Sequence, residues 1–216
     1  MKYPLKDRYR YLIDYFQEHN PEPASELHFV NPFQLLVAVV LSAQCTDKRV
    51  NMITPKLFES YPTPEKMAEA SLDDIFRLIK SASYPNSKAK HLSTMAKMIV
   101  EKYHGEVPQT REELMALPGV GRKSANVVLS VCFGQPAMAV DTHVFRVANR
   151  LGIVTHATTP LEVEKQLVAQ FPQELVGTAH HWLILHGRYV CLSRKPKCQE
   201  CGLRPICDYA EENADS

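Results

Sequence analysis

The chain lacks any apolar run long enough to cross a bilayer. The longest candidate, Phe33 to Leu41, contains Gln34 and stops at Ser42, whereas a membrane-spanning helix needs about 20 mostly apolar residues. Alternating apolar and polar residues, the pattern of a half-buried strand, are also absent over any useful length. The sequence therefore predicts an ordinary globular protein with no membrane partner.

A strong net charge is also lacking, since 25 basic side chains face 24 acidic ones. A flat total still permits a local basic surface. Five cations crowd the last part of the chain, where only Glu200 opposes them: Arg188, Arg194, Lys195, Lys197 and Arg204. These cations could balance a negatively charged metal centre, but we favour a surface that also binds phosphate.

Helix-start signals recur along the chain and precede apolar residues at helical spacing. After Asn31 these apolar residues fall on one helix face and are Phe33, Leu36, Val37, Val40 and Leu41. The four starts are Asn31-Pro32, Ser71 with Asp74, Thr110 with Glu113, and Thr159-Pro160 with Glu162. The 216 residues are therefore predicted to form an all-α protein of one large or two small domains.

Four of the six cysteines lie within 17 residues in the spacing C-x6-C-x2-C-x5-C, namely Cys191, Cys198, Cys201 and Cys207. Thiolates this close suit zinc or an iron–sulfur cluster. A zinc site usually has two tight pairs and this array has one, which favours [4Fe–4S], although the spacing also differs from that of ferredoxins. Two disulfides are disfavoured, because the absence of a signal-peptide pattern indicates a cytoplasmic protein with reduced thiols.

The other two cysteines and a histidine pair are interpreted as structural. Cys45 and Cys132 are predicted to be buried helix residues rather than ligands. His180 and His181 are poor co-ligands, because adjacent helix positions diverge by about 100°. We expect one histidine to be packed in the interior and the other to make a polar contact.

The segment from Leu117 to Lys123 joins two helical patterns through a tight turn. Gly119 and Gly121 can both adopt positive φ, and they leave the backbone unshielded. Amides at the start of the next helix would then bind a phosphate oxygen, a contact that positions DNA without reading its sequence. A plain glycine turn is an equally open interpretation of this segment alone.

Lys123 breaks a local rule, because the first turn of a helix favours acidic side chains and this lysine stands beside Arg122. The helix terminus and Arg122 both disfavour the ammonium form. We therefore expect the pKa of Lys123 to fall, which would make the amine a better nucleophile. Taken alone, the segment fits a solvated or phosphate-contacting lysine better.

Asp141 precedes a helix whose apolar residues keep the i, i+3, i+4, i+7 spacing, namely Val144, Val147, Ala148 and Leu151. It is therefore predicted to cap that helix. The cap and the helix dipole would keep the carboxyl ionised, which suits stabilising a developing cation better than donating a proton.

Together these motifs resemble one family. The hairpin at Leu117 to Lys123, the sequence Val140-Asp141-Thr142-His143 and the four-cysteine array occur in the order typical of endonuclease III, a family of helix-hairpin-helix DNA glycosylases and AP lyases. The similarity runs from Leu41-Ser42-Ala43-Gln44, through the segment His180 to Arg188, as far as Cys207.

The resemblance implies an all-α protein with two lobes and a DNA cleft between them. Residues 24–135 would form a six-helix barrel that carries the helix-hairpin-helix at about residues 110–131. Residues 1–23 and 136–216 would together form an iron–sulfur cluster domain. The partner would be double-stranded DNA with damaged bases or abasic sites, bound by a monomer at the cytoplasmic nucleoid.

The resemblance also implies roles for single residues. Lys123 would be the nucleophile, Asp141 its essential carboxylate, and the four cysteines of the array the ligands of a [4Fe–4S] cluster. Contacts to DNA would come from Gln44, which fills space near a flipped nucleotide, and from Pro118, Gly119, Val120, Gly121, Arg122, Arg194, Lys195 and Lys197. The implied reaction removes oxidised pyrimidines and then cuts the strand 3′ to the abasic site by β-elimination through a lysine Schiff base.

One loop departs from the family pattern. In Ser83-Tyr84-Pro85 the family usually has a glycine, a leucine or aromatic wedge and a second aromatic residue. Tyr84 is still expected to act as the wedge, while Pro85 changes the geometry of the loop.

Other functions share part of this pattern. Adenine-specific and thymine-specific mismatch glycosylases of the same superfamily lack the hairpin lysine, and the adenine-specific enzymes have a further domain. A non-catalytic DNA-binding module with a cluster would have the same hairpin and basic loop. Only the pairing of Lys123 with Asp141 separates that module from the enzyme on sequence grounds.

Overall fold

The structure, a computed structural model, describes residues 3–213 and is all-helical, with no β-strand in that range. The described helices are α1 (Leu5–His19), α2 (Pro32–Ser42), α3 (Asp47–Ser60), α4 (Pro64–Glu69), α5 (Leu72–Ile79), α6 (Pro85–Tyr103), α7 (Arg111–Ala116), α8 (Arg122–Phe133), α9 (Thr142–Leu151), α10 (Pro160–Gln170), α11 (Val176–Tyr189) and α12 (Asp208–Glu212). Between residues 3 and 213, no helix is long and apolar enough to span a membrane. The predicted fold class is confirmed.

Local capping explains where several helices begin. The Asn31 side chain accepts from the Gln34 amide, and Pro32 opens α2. At α10 a full capping box forms, in which Thr159 accepts from the Glu162 amide and Glu162 accepts from the Thr159 amide. Side-chain caps also begin α5 at Ser71 and α7 at Thr110. All four predicted starts are confirmed.

The chain divides into two compact units. One comprises the residues up to 24 together with those from 135 onward, and the other comprises residues 25–134. In the second unit the described chain forms seven helices, α2 to α8. Ala70 and Ser71 leave the helical conformation and divide α4 from α5.

Helix α2 lies at the centre of the second unit. Its side chains from Phe33 to Leu41 are all buried, because α3, α6 and α8 surround it. The five apolar residues that the sequence placed on one helix face are among these buried side chains. The others are buried too, because a helix with neighbours on several sides is buried all round.

The first unit brings the N-terminal helix onto the C-terminal part of the chain. Leu12 and Phe16 of α1 belong to the same core as Trp182 of α11. The ring of Phe16 stacks on that of Trp182 at 5.4 Å, and Trp182 Nε1 donates to Asn20 O at 2.7 Å. Buried Arg8 donates to Leu151 O at 2.7 Å and pairs with the Asp208 carboxylate, which attaches α1 to α9 and α12.

Candidate active site, DNA interface and cysteine centre

The hairpin turn connects α7 to α8 and contains two glycines with different backbone conformations. Gly119 has φ +82°, and a Cβ there would lie 3.0 Å from His91 Nδ1. Gly121 has φ −94° and extended backbone, and a Cβ there would meet nothing within 4 Å. Of the two glycines for which the sequence allows positive φ, only Gly119 adopts it, and Gly121 is the N-cap of α8.

The start of α8 exposes backbone donors because Gly121 has no side chain with which to cap them. The first turn of any helix leaves N–H groups without an intrahelical partner. Around this turn Pro118 and Arg122 are half-buried and Gly119 is exposed, whereas the Val120 side chain is buried at 6 % exposure. At Val120 only the backbone is therefore available to a ligand.

Lys123 occupies the second position of α8 and is exposed. It follows an uncapped glycine turn, so its amine stands beside the positive end of the helix dipole. Lys123 is the residue that the family resemblance implied as the nucleophile.

Asp141 is the N-cap of α9, as predicted. Its Oδ1 accepts from the His143 amide at 2.8 Å and from the Val144 amide at 2.9 Å, so Oδ2 is not used in capping. Gly187 of α11 fixes the position of this end of α9, because a Cβ there would lie 2.8 Å from His143 Cβ. Asp141 is partly exposed and belongs to the first unit, whereas Lys123 belongs to the second.

Gln44 and Tyr84 lie in two exposed turns that are hydrogen bonded to each other. Ser83 Oγ donates to Gln44 O at 2.6 Å. Both Gln44 and Tyr84 have φ +53°, the left-handed region that ordinary side chains disfavour. Pro85 does not disrupt the start of α6; it is the first residue of that helix, and Tyr84 is the N-cap with 66 % of its surface exposed.

A residue that the sequence analysis missed joins the same turns. Lys88 is buried, and its Nζ donates to Leu41 O at 2.8 Å and to Ala43 O at 2.7 Å. Burial lowers the pKa of Lys88. A signal was present in the sequence, because Lys88 stands at helical spacing in a buried row with Leu92, Met95 and Ile99.

The four cysteines of the array line one pocket. Cys191, Cys198, Cys201 and Cys207 all face it, together with His186, and all six cysteines of the chain are free thiols. Burial raises the pKa of Cys201 to about 11, with a smaller upward contribution from the charges of the other three cysteines. Burial likewise raises the pKa of Cys207. The two-disulfide alternative is not formed.

Two arginines of α9 surround the array, and the sequence analysis missed both. Arg150 Nη1 lies 3.5 Å from Cys191 Sγ and donates to Leu192 O at 2.7 Å. Arg146 donates to Cys191 O at 3.1 Å and to Gly187 O at 2.8 Å. Their i, i+4 spacing on the side of α9 opposite its apolar row was the available signal.

The basic loop lies between the first two cysteines of the array and is exposed to solvent. Arg194, Lys195 and Lys197 are all exposed. Its ends are held together, because the Lys197 amide donates to Val190 O at 3.0 Å, and Lys195 adopts φ +50° at its tip. The loop therefore presents three cations on a closed turn.

The remaining cysteines and histidines differ in part from expectation. Cys132 lies in α8 but is only half-buried, and burial raises its pKa to about 11. Cys45 is also half-buried and lies in the turn after α2. The prediction of a buried helix residue is wrong for Cys45, because α2 ends at Ser42. His180 is buried, whereas His181 Nδ1 lies 3.1 Å from Gly177 O, as the sequence predicted.

Across residues 3–213, no group of three or more His, Cys, Asp or Glu side chains is arranged to hold a single metal ion. The array nevertheless has the properties that a multi-iron centre requires. Four reduced thiols share one pocket, and the Arg150 guanidinium stands against one of them. Ionising several buried thiols together is unfavourable unless positive charge compensates them, as bound iron would.

Comparison with known proteins identifies relatives along most of the chain. Residues 37–173 match a family model described as HhH-GPD superfamily base excision DNA repair protein. Endonuclease III of Rickettsia felis is 49 % identical over 198 residues, which cover 92 % of each chain.

Two solved structures share the fold over nearly the whole chain. A trapped covalent intermediate of endonuclease III with DNA, described as an estranged-adenine complex, superimposes with a TM-score of 0.91 at 45 % identity and covers 97 % of this chain and 98 % of the other. A non-covalent endonuclease III–DNA complex gives a TM-score of 0.92 at 44 % identity, over 98 % of this chain and 99 % of the other.

Proposed function

The chain belongs to the HhH-GPD superfamily of base excision DNA repair proteins as a member of the endonuclease III family, and on that premise we propose that Lys123 is its nucleophile and Asp141 its essential carboxylate. Membership makes the protein a DNA glycosylase and AP lyase that acts on DNA. The resemblance inferred from the motifs is thereby confirmed. The assignment of the chemistry to particular residues is our proposal.

The observation that carries the proposal is an exposed lysine in the first turn of a helix whose N-cap is a glycine. The amine is accessible to a sugar, and the phosphate beside that sugar can approach the open backbone of the turn. The positive helix end disfavours an additional cation at this position, so its presence calls for a functional reason.

The proposed reaction has two stages. In the first, Lys123 Nζ bonds to C1′, the bond from C1′ to the base breaks, and the base leaves with the electron pair and takes up a proton from the attacking amine. The C1′–O4′ bond then breaks, the remaining N–H proton passes to O4′, and an imine is left between Nζ and C1′. In the second, the resulting imine acidifies the C2′ hydrogen; its removal expels the phosphate oxygen at C3′, and the strand is cut on the 3′ side.

Asp141 supports the first stage by its charge. Oδ1 is held by two backbone amides, which fixes the position of the carboxylate. An ionised carboxylate stabilises the positive charge that develops at the sugar as the base departs. Asp141 therefore acts as an electrostatic partner of the nucleophile and not as a proton donor.

We propose oxidised pyrimidines as the substrate class, as the family resemblance implies. A base inside a duplex is out of reach of the amine, so its nucleotide must be extruded at a cost of a few kcal/mol, which a poorly stacked lesion lowers. The exposed side chains of Gln44 and Tyr84 are suited to filling the vacated space, one by hydrogen bonding and the other by stacking.

The backbone of the duplex would be held at two places. One is the hairpin turn at residues 118–122, whose amides bind phosphate without base readout. The other is the basic loop of Arg194, Lys195 and Lys197. In our proposal the barrel domain with the hairpin corresponds to residues 24–135, and residues 1–23 and 136–216 form the cluster domain.

We propose that Cys191, Cys198, Cys201 and Cys207 hold a [4Fe–4S] cluster. When bound, it would supply positive charge to four half-buried thiols and cross-link the ends of their segment. Arg150 would stabilise the ligated thiolate of Cys191 through its N–H group. We further propose that the protein acts as a monomer at the cytoplasmic nucleoid, where the DNA of its bacterial relatives lies.

Substitution of the lysine tests the proposal. Lys123→Gln should lower cleavage of an abasic duplex by about 10³-fold or more, because the nucleophile is lost. Binding to the same duplex should stay near that of the parent, because the hairpin amides remain. Lys97→Gln, at an exposed lysine of α6, is the matched control and should cleave normally. Parent-rate cleavage by Lys123→Gln would contradict the assignment.

A further inference from the structure

Two exposed turns of the second unit each carry a strained residue at the tip. Gln44, in the turn after α2, and Tyr84, before α6, both have φ +53°. An ordinary side chain in this region costs of order 1–3 kcal/mol and persists only where its surroundings hold it in place. The residue before a proline also avoids helical conformations, which adds to the strain at Tyr84.

Two side chains hold these turns together. Ser83 Oγ donates to Gln44 O at 2.6 Å, so the neighbour of one strained residue binds the carbonyl of the other. From the first turn of α6, Lys88 Nζ reaches Leu41 O at 2.8 Å and Ala43 O at 2.7 Å. These two carbonyls belong to the C-terminal turn of α2, where such groups lack helical partners and attract a cation.

Burial of the charged Lys88 side chain at its position is energetically unfavourable. Only 5 % of the residue is exposed, and it stands in a row whose other members, Leu92, Met95 and Ile99, are fully buried. Burial disfavours the ammonium ion and lowers its pKa. An apolar side chain of similar length would fill such a position with no cost of this kind, so packing alone does not account for the lysine.

We propose that Lys88 is a positioning residue which, with Ser83, locks the Gln44 turn to the Tyr84 turn, so that both side chains are preset to occupy the space of an extruded nucleotide. Presetting matters because a loop ordered only on binding spends part of its interaction energy on becoming ordered. This inference rests on the proposed function, which assigns the vacated space to Gln44 and Tyr84.

The inference differs from a purely structural role in one respect. If Lys88 only supported the fold, its loss would lower base excision and abasic-site cleavage alike. If it acts through Gln44, its loss should lower base excision most, because an abasic nucleotide has no base to unstack and is cheaper to extrude. The loss should also have a smaller effect once the Gln44 side chain is removed, because only the Tyr84 turn then remains to be misplaced.

The experiment compares single-turnover rates on a thymine glycol duplex and on an abasic duplex. Lys88→Met keeps the length of the side chain and removes the donor, and Lys90→Met, at an exposed position of the same helix, is the matched control. Ser83→Ala removes only the hydroxyl that donates to Gln44 O. Because Ser83 is partly exposed, this variant tests the inference even if Lys88→Met fails to fold. Each variant is also combined with Gln44→Ala.

We expect Lys88→Met to slow base excision about 10- to 100-fold, the effect of misplacing a positioning group by an ångström, and to change abasic-site cleavage little. Ser83→Ala should show the same selectivity with a smaller loss, and each change should slow excision by a smaller factor in the Gln44→Ala background than in the parent. Equal losses on both substrates, losses additive with Gln44→Ala, or an effect no larger than that of Lys90→Met would overturn the inference. A Gln44→Ala enzyme with full activity would also overturn it.

The proposed function fails in a different way. If the parent protein itself neither excises thymine glycol nor cleaves abasic DNA, the assignment of the reaction is wrong whatever Lys88 does. If the parent is active through Lys123 and Lys88→Met matches the parent, only the positioning role is wrong.

Discussion

Asp141 combines two properties that can be separated by substitution. Its Oδ1 caps α9 through two amides, and its negative charge is assigned to the developing cation. Asn caps helices about as well as Asp, so Asp141→Asn should unfold at the temperature of the parent in a circular dichroism melt. The same variant should lose turnover by about 10²- to 10³-fold, since the carboxylate charge is gone.

Asp141→Ala provides the comparison, because it removes the cap as well. It should lose a similar amount of activity and, in addition, about 1 kcal/mol of stability. Near-parent turnover of Asp141→Asn would show that the carboxylate charge is not needed.

Lys195 stands at the tip of the basic loop and is assigned to phosphate. Lys195→Glu should weaken binding of lesion-containing and undamaged duplexes by the same factor and reduce the slope of log K against log salt by about 1. Titrations at several salt concentrations measure both effects. Lys165→Glu, at an exposed lysine of α10, is the control with the same change in charge. If Lys195→Glu altered the preference for the lesion, the loop would be reading the base.

Helix α8 lacks a side-chain cap, because its N-cap residue is Gly121. We expect a residue that can cap the helix to make it more stable. The extended backbone of Gly121 suits a serine, and a Cβ there meets no atom within 4 Å. Gly121→Ser should raise the free energy of unfolding by about 0.5 kcal/mol, through capping and a less flexible unfolded chain. It should also weaken DNA binding, because the side chain obstructs the phosphate.

Gly119→Ser is the matched change in the same turn. At φ +82° and against His91, it should lower both stability, by about 1 kcal/mol, and DNA affinity. Denaturant titrations measure the opposite changes in stability of the two variants, and binding curves measure the loss of DNA affinity that both should show. Unchanged DNA affinity in Gly121→Ser would show that the turn does not bind phosphate through its backbone.

The helices show why some features could be predicted from sequence and others not. Capping at Asn31, Thr159 and Asp141 involves residues within three positions, so the local sequence contains the whole interaction. The burial of α2 on all sides depends on three helices that are distant in sequence. The same holds for Lys88, whose partners Leu41 and Ala43 lie more than 40 residues away.

The same distinction between local interactions and interactions distant in sequence applies to the site residues. The motifs were sufficient to identify the hairpin, Asp141 and the four cysteines, because each is a short pattern of residue types. The conformation of Gly121 could not be predicted, since glycine permits either sign of φ. Arg146 and Arg150 were missed because their partners, Cys191 and Leu192, lie about 40 residues further along the chain.

The first unit connects the two ends of the chain, and the cysteine array is part of its interior. Leu203 and Ile206, which lie between the third and fourth cysteines, are buried in the same core as Leu12 of α1. A centre that holds the array should therefore stabilise the whole unit and not only a surface loop.

Replacing one ligand tests this connection. Cys201→Ser should lose most of its iron and lower the free energy of unfolding by more than about 4 kcal/mol, the range of effects that includes loss of a structural metal. Iron analysis and thermal melts of anaerobically purified protein measure both. Cys132→Ser, in the other unit, should keep its iron. Stoichiometric zinc, or no metal in the parent protein, would contradict the cluster assignment.

The most direct test of the account is covalent trapping of the enzyme on DNA. An amine nucleophile passes through an imine with C1′, and borohydride reduces that imine to a stable bond. The parent protein, incubated with borohydride and a duplex containing thymine glycol, should become linked to the DNA, and peptide mapping should place the link on Lys123. A link on another residue, or equal trapping of Lys123→Gln, would contradict the account.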